Sequence, residues 1–345
     1  MKDNIFGKII VGSKEELKKS YKEFSNIPID LEIQHEDILD YSHKYMKTIA
    51  EPIEESALGT FDQRELRTIK FEPTAKKGWW FNRVDLEGQP PIQISHKNAY
   101  ALLESGVNNI VLKGKNNINY MRLIEHIIAL KLGTDIDNLM ISVDSNDPPL
   151  FEKGSIELLE ALEEAERVET LNECKYYTVK KPVSAIWPNG SFLIVTPPED
   201  DIYALKIDSA VNFKNCIGQQ RIKFPLNEDN FKVGAEARTN AYIKHALLCK
   251  TIGKLSSKTR NLGYNSKNVI LFGKKKYFNA PGLMYNGKSL EVIWHRAVLD
   301  LLAAFALIDE GRFVGHIISY KAGHREDIEF IKKLYTNDLL KEVTD

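Results

Sequence analysis

Four histidines of this chain stand in apolar helix-like or strand-like contexts: His126 in "LIEHIIALKLG", His295 in "EVIWHRAVLD", and His316 and His324 in "VGHIISYKAGH". Neutral imidazole is a common zinc ligand, and a catalytic zinc typically takes three protein ligands and leaves a fourth position to water. Hydrolysis at such a centre also needs a carboxylate to accept the proton of that water and an acid to protonate the leaving group. Glu125, beside His126, has the chemistry of the base. His324, just after a strand-like run, has that of the acid, and His295 with Asp300 would complete the metal set. Neighbours on a helix point about 100° apart, so Glu125 and His126 can border one cavity without bonding each other. Taken singly, each residue is more often a satisfied structural group, and spacing alone does not bring them together.

The elements that must position these residues fall into two series. Apolar Leu123, Ile124, Ile127, Ile128, Leu130 and Leu132 recur at helical spacing, with Gly133 as a stop, within a helical pattern over 119–132. A second helix is expected over 155–168, with "NLMISVD" between them as a buried strand. Strand-like runs such as "LRTIKFEP" and "GWWFNRVDL" precede this pair. After a boundary near 171 the order recurs: strands ("KYYTVKKPVSAIW", "SFLIVTP", "IYALKIDSAV", "QRIKFPL"), a helix at 240–253, a strand ("NVILFG"), an apolar helix at 290–308 and a last helix at 325–341. Strands followed by helices, twice over, indicate an α+β protein with two related halves, 45–171 and 172–345. Residues 1–44 read as an appended N-terminal extension, in which "SKEELKKSYKEF" has the form of a capped, charged helix.

Composition narrows the class. Hydrophobic residues at 43% and charged residues at 28% are ordinary for a globular protein and argue against disorder. Forty-seven Lys and Arg against 48 Asp and Glu give no sign of a nucleic-acid partner. Three dispersed cysteines, Cys174, Cys216 and Cys249, without a CxxC pair, fit a reducing compartment. The longest apolar stretch, "AVLDLLAAFALI", contains Asp300 and is too short to span a bilayer. A soluble cytoplasmic protein is therefore expected.

Several stretches, in order, resemble motifs of the UDP-3-O-acyl-N-acetylglucosamine deacetylase family, the LpxC-type zinc amidases of lipid A biosynthesis. They include "KTIAEPIEESALGTF", "GWWFNRVDLEGQPPI", "IEHIIALKLGTDIDNLMISVD", "CIGQQRIKF", "ARTNAY", "GYNSKNVILF", "EVIWHRAVLD" and "VGHIISYKAGH". The resemblance spans roughly 46 to 335 and implies two β-sheet-plus-helices halves packed as a sandwich. It also implies Zn2+ as cofactor, an acylated UDP-amino-sugar as substrate, and a monomer. Carried over motif by motif, Glu125 becomes the general base and His126 a zinc ligand. His295 and Asp300 become the other ligands, His324 the acid, and Thr239 of "ART" and Lys321 of "KAGH" substrate contacts.

The chain departs from the family pattern where the metal set is completed. The family's second histidine and its aspartate lie four residues apart on one helix, whereas His295 and Asp300 lie five apart. In a regular helix that turns them about 140° from each other. Either a π-bulge, a one-residue insertion often found at functional sites, restores the pair, or the register shifts, Arg296 takes the histidine position and a ligand is lost. Ala304 stands where the family carries an acid one turn later, and Asn240 replaces the aromatic after "ART". An active zinc-dependent deacetylase is the expectation. The alternatives are a non-catalytic paralogue that binds a sugar nucleotide or a protein, and a deacetylase for another acetylated sugar.

Overall fold

The computed structural model describes residues 5–34, 43–61, 63–104, 107–199, 203–251, 263–309 and 311–343. Two sheets frame it. In the first half the strands Ile53–Leu58 (β3), Leu66–Glu72 (β4), Trp79–Arg83 (β5), Ile92–Gln93 (β6) and Leu139–Val143 (β7) lie in the order β3-β4-β7-β5-β6. In the second half Val183–Ile186 (β8), Phe192–Thr196 (β9), Leu205–Asn212 (β10), Gln219–Pro225 (β11) and Gly315–Tyr320 (β12) lie in the order β8-β9-β12-β10-β11. The topology is the same. In each sheet the last strand enters the middle, antiparallel to the second and parallel to the third. The expected α+β build with two related halves is what the chain adopts.

Between the sheets lies a helical layer, and one apolar cluster joins all three. It contains Ile69, Phe71 and Phe81 of the first sheet, Ala297, Val298 and Leu301 of the central helix, residues 291–305, and Val195, Ile207 and Ile317 of the second sheet. Close approach at the centre needs a missing side chain: a Cβ on Gly234, in the helix Glu228–Ala235, would sit 2.3 Å from Val298.

The N-terminal extension is an integral part of the second sheet. Its strand Lys8–Val11 (β1) runs parallel to β8, and Leu31–Glu32 (β2) runs parallel to β11, so the extension supplies both edges. Between them the helix Lys14–Ser25 carries the expected cap. Ser13 Oγ accepts from the Glu16 amide and the Glu16 carboxylate accepts from the Ser13 amide. Its buried Leu17 and Phe24 cover the outer face of the sheet, packing with Phe192, Ile194, Ile318 and Tyr320.

Local details differ from the sequence reading. The pattern over 119–132 is not one helix: Tyr120–Arg122 is a strand, Leu123 has φ +54, and helix begins only at Glu125. The helix expected over 240–253 starts at Ile243, because Thr239–Tyr242 pairs as a strand with Val269–Phe272. The charged stretch at the expected boundary, Arg167–Glu173, is a strand on Tyr45–Ile49. Among the described residues no helix is long and apolar enough to cross a membrane.

Candidate active site

The helical layer brings the chemistry-bearing residues together from both halves. Glu125 and His126 open the short helix Glu125–Ile128. His295 and Asp300 bracket the central helix's irregular stretch, and this stretch, His295–Asp300, is π-helical. A π turn holds more residues than an α turn, so the five-residue spacing returns both side chains to one side. His295 Nδ1 lies 3.4 Å from Asp300 Oδ1. Of the two outcomes open from the sequence, the bulge is the one the fold adopts, and Arg296 does not replace the histidine.

His126 Nε2 and His295 Nε2 face each other at 3.0 Å, and the Thr239 hydroxyl lies 3.3 and 3.1 Å from them. On the other side of His295, His324 Nε2 lies 3.5 Å from both Glu125 Oε1 and Asp300 Oδ1. Glu125, His295 and His324 are buried, while His126, Thr239 and Asp300 remain partly accessible. Lys321 stands apart. Its ammonium lies over the Tyr320 ring and 3.5 Å from Glu23 of the N-terminal helix.

Both halves aim their catalytic candidates by the same local device. A left-handed, non-glycine residue separates a strand from the helix that follows: Leu123 (φ +54) before Glu125, and Lys321 (φ +55) before His324. Such a backbone is uncommon for non-glycine residues and persists only when its surroundings fix it.

Two buried ion pairs brace the cluster. Arg296 forms a fork on Asp327 at 2.6 and 2.7 Å and also donates to Ser319 Oγ, which locks the π segment to the first turn of the helix His324–Thr336. Arg238 donates to Glu291 at 2.6 and 3.0 Å, which fixes the residue before Thr239 to the start of the central helix. Neither pair was read from the sequence. The signal available was Arg296, a lone cation in the apolar run "WHRAVLDLLAAFAL" that had to find an acid.

The electrostatics follow from burial and mutual proximity. Burial pushes Glu125 up to about 8, with the Asp300 charge adding to it. Burial, and then the neighbouring His295, drive His126 down to about 3, so its imidazole is neutral and able to donate a lone pair. Burial also lowers His324. For Asp300 burial works upward, but His295 and His324 together hold it below the ordinary carboxylate range.

Donor chemistry here fits a divalent cation of the zinc class. The nitrogens of His126 and His295 that face each other at 3.0 Å can each offer a lone pair, and at most one of them can hold the proton that would join them. Glu125 Oε2 and His324 Nδ1 are buried without a hydrogen-bond partner, an expensive state for polar atoms. Their neighbours therefore point to a bound group.

Residues 46–336 match the LpxC family of UDP-3-O-acyl N-acetylglycosamine deacetylases. The chain belongs to this family. Among similar proteins is the UDP-3-O-acyl-N-acetylglucosamine deacetylase of Syntrophotalea carbinolica, 24% identical over 294 residues that cover 85% of this chain and 88% of that one. The protein of the same name from Bdellovibrio bacteriovorus is 27% identical over 271 residues, 78% of this chain and 82% of the relative. That from Campylobacter jejuni is 28% identical over 226 residues, 65% and 69%. The LpxC match leaves out the first 45 residues, which include both edge strands added to the second sheet.

Proposed function

We propose that the chain is a zinc-dependent deacetylase that removes the N-acetyl group of a UDP-3-O-acyl-N-acetylglucosamine-type substrate in lipid A biosynthesis. One observation carries the reading beyond family membership. His126 and His295 meet nitrogen to nitrogen beside the Thr239 hydroxyl, with the free Glu125 Oε2 and the imidazole of His324 close by.

His126 and His295 would hold the metal through the nitrogens that face each other, with Asp300, which lies here against the opposite nitrogen of His295, as the third ligand that family resemblance implies. Zinc, when bound, supplies Lewis acidity, which eases loss of a proton from a nearby water and polarises the amide carbonyl. Glu125 accepts that proton as the water oxygen attacks the acetyl carbon. Burial that raises Glu125 makes it a stronger base, and a neighbouring cation keeps it ionised until it acts. Thr239 orients the amide next to the two imidazoles. As the C–N bond breaks, His324, 3.5 Å from Glu125 Oε1, passes the proton that Glu125 took from water to the leaving nitrogen, so the products are a free amine and acetate.

An amphiphilic substrate needs apolar surface beside polar groups. Leu247 and Leu248, on the helix that follows the Thr239 strand, are exposed, as are Phe278, Met284 and Tyr285 on the nearby sequence 276–289. That sequence forms a small hairpin, Met284–Tyr285 with Lys288–Ser289. Lys321 is proposed to contact the substrate after leaving Glu23.

The test is acetate release from the UDP-3-O-acyl-N-acetylglucosamine substrate by metal-depleted protein resupplied with zinc. Activity that returns with zinc in the parent and not in His126→Ala supports the reading. A folded, zinc-supplied parent that releases no acetate from this or related acetylated sugars removes it.

A further inference from the structure

A second convergence of metal-ligating side chains lies outside this site. His43, Asp137 and Cys174 each present a donor atom, and the three atoms lie within 4.8 Å of one another, the one such group among the described residues. His43 Nε2 is 2.6 Å from Asp137 Oδ2 and 3.3 Å from Cys174 Sγ. We infer that His43, Asp137 and Cys174 form a structural site for a divalent cation of the zinc class, distinct from the catalytic centre.

The first argument is the geometry around one nitrogen. Carboxylate and sulfur both approach Nε2 of the same imidazole. A nucleophilic cysteine would need its base to use one ring nitrogen for the thiol and the other for the orienting acid, and that is not the arrangement here. A proton on Nε2 serves Asp137, so the Cys174 thiol is left to Tyr176 and to the Asp137 carboxylate that His43 already uses. A cation at the centre satisfies all three. Bonds of about 2.0 Å to nitrogen and oxygen and about 2.3 Å to sulfur place tetrahedral donors about 3.3 to 3.6 Å apart. The His43–Cys174 distance already meets this, and a small rotation of the imidazole opens the His43–Asp137 pair.

The second argument is charge and support. On binding, Cys174 releases its proton to solvent and coordinates as thiolate, and His43 carries its remaining proton on Nδ1. Asp137 is already ionised, so the ion and two anionic ligands sum to zero. Each ligand is held from behind, Cys174 by its amide, which donates to the Lys44 carbonyl at 2.9 Å. Arg312 Nε donates to Asp137 Oδ1 at 2.7 Å, the Lys47 amide donates to Asp137 Oδ2, and the His43 amide donates to the Tyr176 hydroxyl.

The third argument is position. His43 precedes the strand Tyr45–Ile49, Asp137 lies between the helix Leu130–Gly133 and β7, and Cys174 sits where the first half passes into the second, between the strands Arg167–Glu173 and Tyr176–Val179. An ion there cross-links segments separated by 94 and 131 residues, the logic of a structural metal in which binding energy becomes folding energy.

Cobalt is the probe, because the proposed catalytic centre has no sulfur ligand. Metal-depleted full-length protein reconstituted with Co2+ should hold two equivalents and show thiolate-to-cobalt charge-transfer absorption in the near ultraviolet. The band should persist in Cys216→Ala, Cys249→Ala and His126→Ala, and vanish in Cys174→Ala with loss of one equivalent. His43→Ala should weaken it at least tenfold in the cobalt concentration required. A parent without the band, or a band that survives Cys174→Ala, overturns the inference and leaves the deacetylase reading intact. A band with a single equivalent and no acetate release removes the deacetylase reading instead.

Discussion

The two halves share a strand order and differ in what covers them. In the first half β4, "LRTIKFE", buries Ile69 and Phe71 and turns Thr68, Lys70 and Glu72 outward, so one face is wet. In the second half β9, "FLIVT", buries Leu193 and Val195 against the helical layer and Phe192 and Ile194 against the N-terminal helix. A strand covered on both faces reads as a continuous apolar run, and one covered on a single face alternates. The difference shows what the extension does in physical terms: without Leu17 and Phe24 the second sheet would expose an apolar face, and without β1 and β2 it would have two bare edges.

A division of labour accompanies that asymmetry. The first half contributes Glu125 and His126, and the buttressed half contributes Thr239, His295, Asp300 and His324. If catalysis is shared across the halves, Glu125→Ala and His324→Ala should each lower kcat for acetate release by about 10²- to 10⁴-fold. The double variant should lose less than the product of the two, because the groups act in one reaction. Independent, multiplicative losses would break the shared-site account.

Within the second half the Arg296–Asp327 pair is the strongest brace. Asp327→Ala leaves a buried guanidinium without its anion and should cost about 3–5 kcal/mol in urea denaturation. The exposed Lys223–Glu32 pair should cost no more than about 1 kcal/mol when broken by Glu32→Ala. Equal costs would mean that Asp327 is not the brace it is drawn as.

In the first half the proposed base, Glu125, works against the stability of the fold. Glu125 is raised from an ordinary carboxylate value to about 8, so the folded state favours the protonated form. The stability that this gives is full below the unfolded value and is lost as pH rises from about 4.5 toward 8. Metal-depleted Glu125→Gln should therefore be more stable than the metal-depleted parent by about 3 kcal/mol at pH 7, a gain that vanishes below about pH 4.5. Denaturation midpoints of the two proteins across that range check it, and parallel profiles would sink it.

The smallest effect concerns the cover. Ser13→Ala removes the cap of the helix Lys14–Ser25 and should cost about 1 kcal/mol. Hydrogen exchange should then rise first in that helix and in β1, with the first-half sheet unaffected. Exchange that rises equally in both sheets would show that the halves do not respond separately.

Much of this was legible along the chain. Motif order identified the family, the recurrence of strands then helices gave two related halves, and the five-residue spacing of His295 and Asp300 singled out the place where the helix had either to bulge or to lose a ligand. The cap at Ser13 and Glu16 was readable because capping is local. The break before Glu125 was missed, since the apolar positions of Tyr120–Arg122 fit a helical period as well as a buried strand.

What the sequence by itself determined is therefore the chemistry available and the local periods that carry it: a carboxylate beside an imidazole, two more histidines, an odd spacing, a capped helix. Only the tertiary structure decided which groups meet. His43, Asp137 and Cys174, the Arg296–Asp327 fork, and the docking of residues 5–34 onto the far half all join positions whose separation leaves no periodic signal. The physical reason is that side-chain periodicity reports which face an element buries, whereas the partner across that face is chosen by packing and charge in three dimensions.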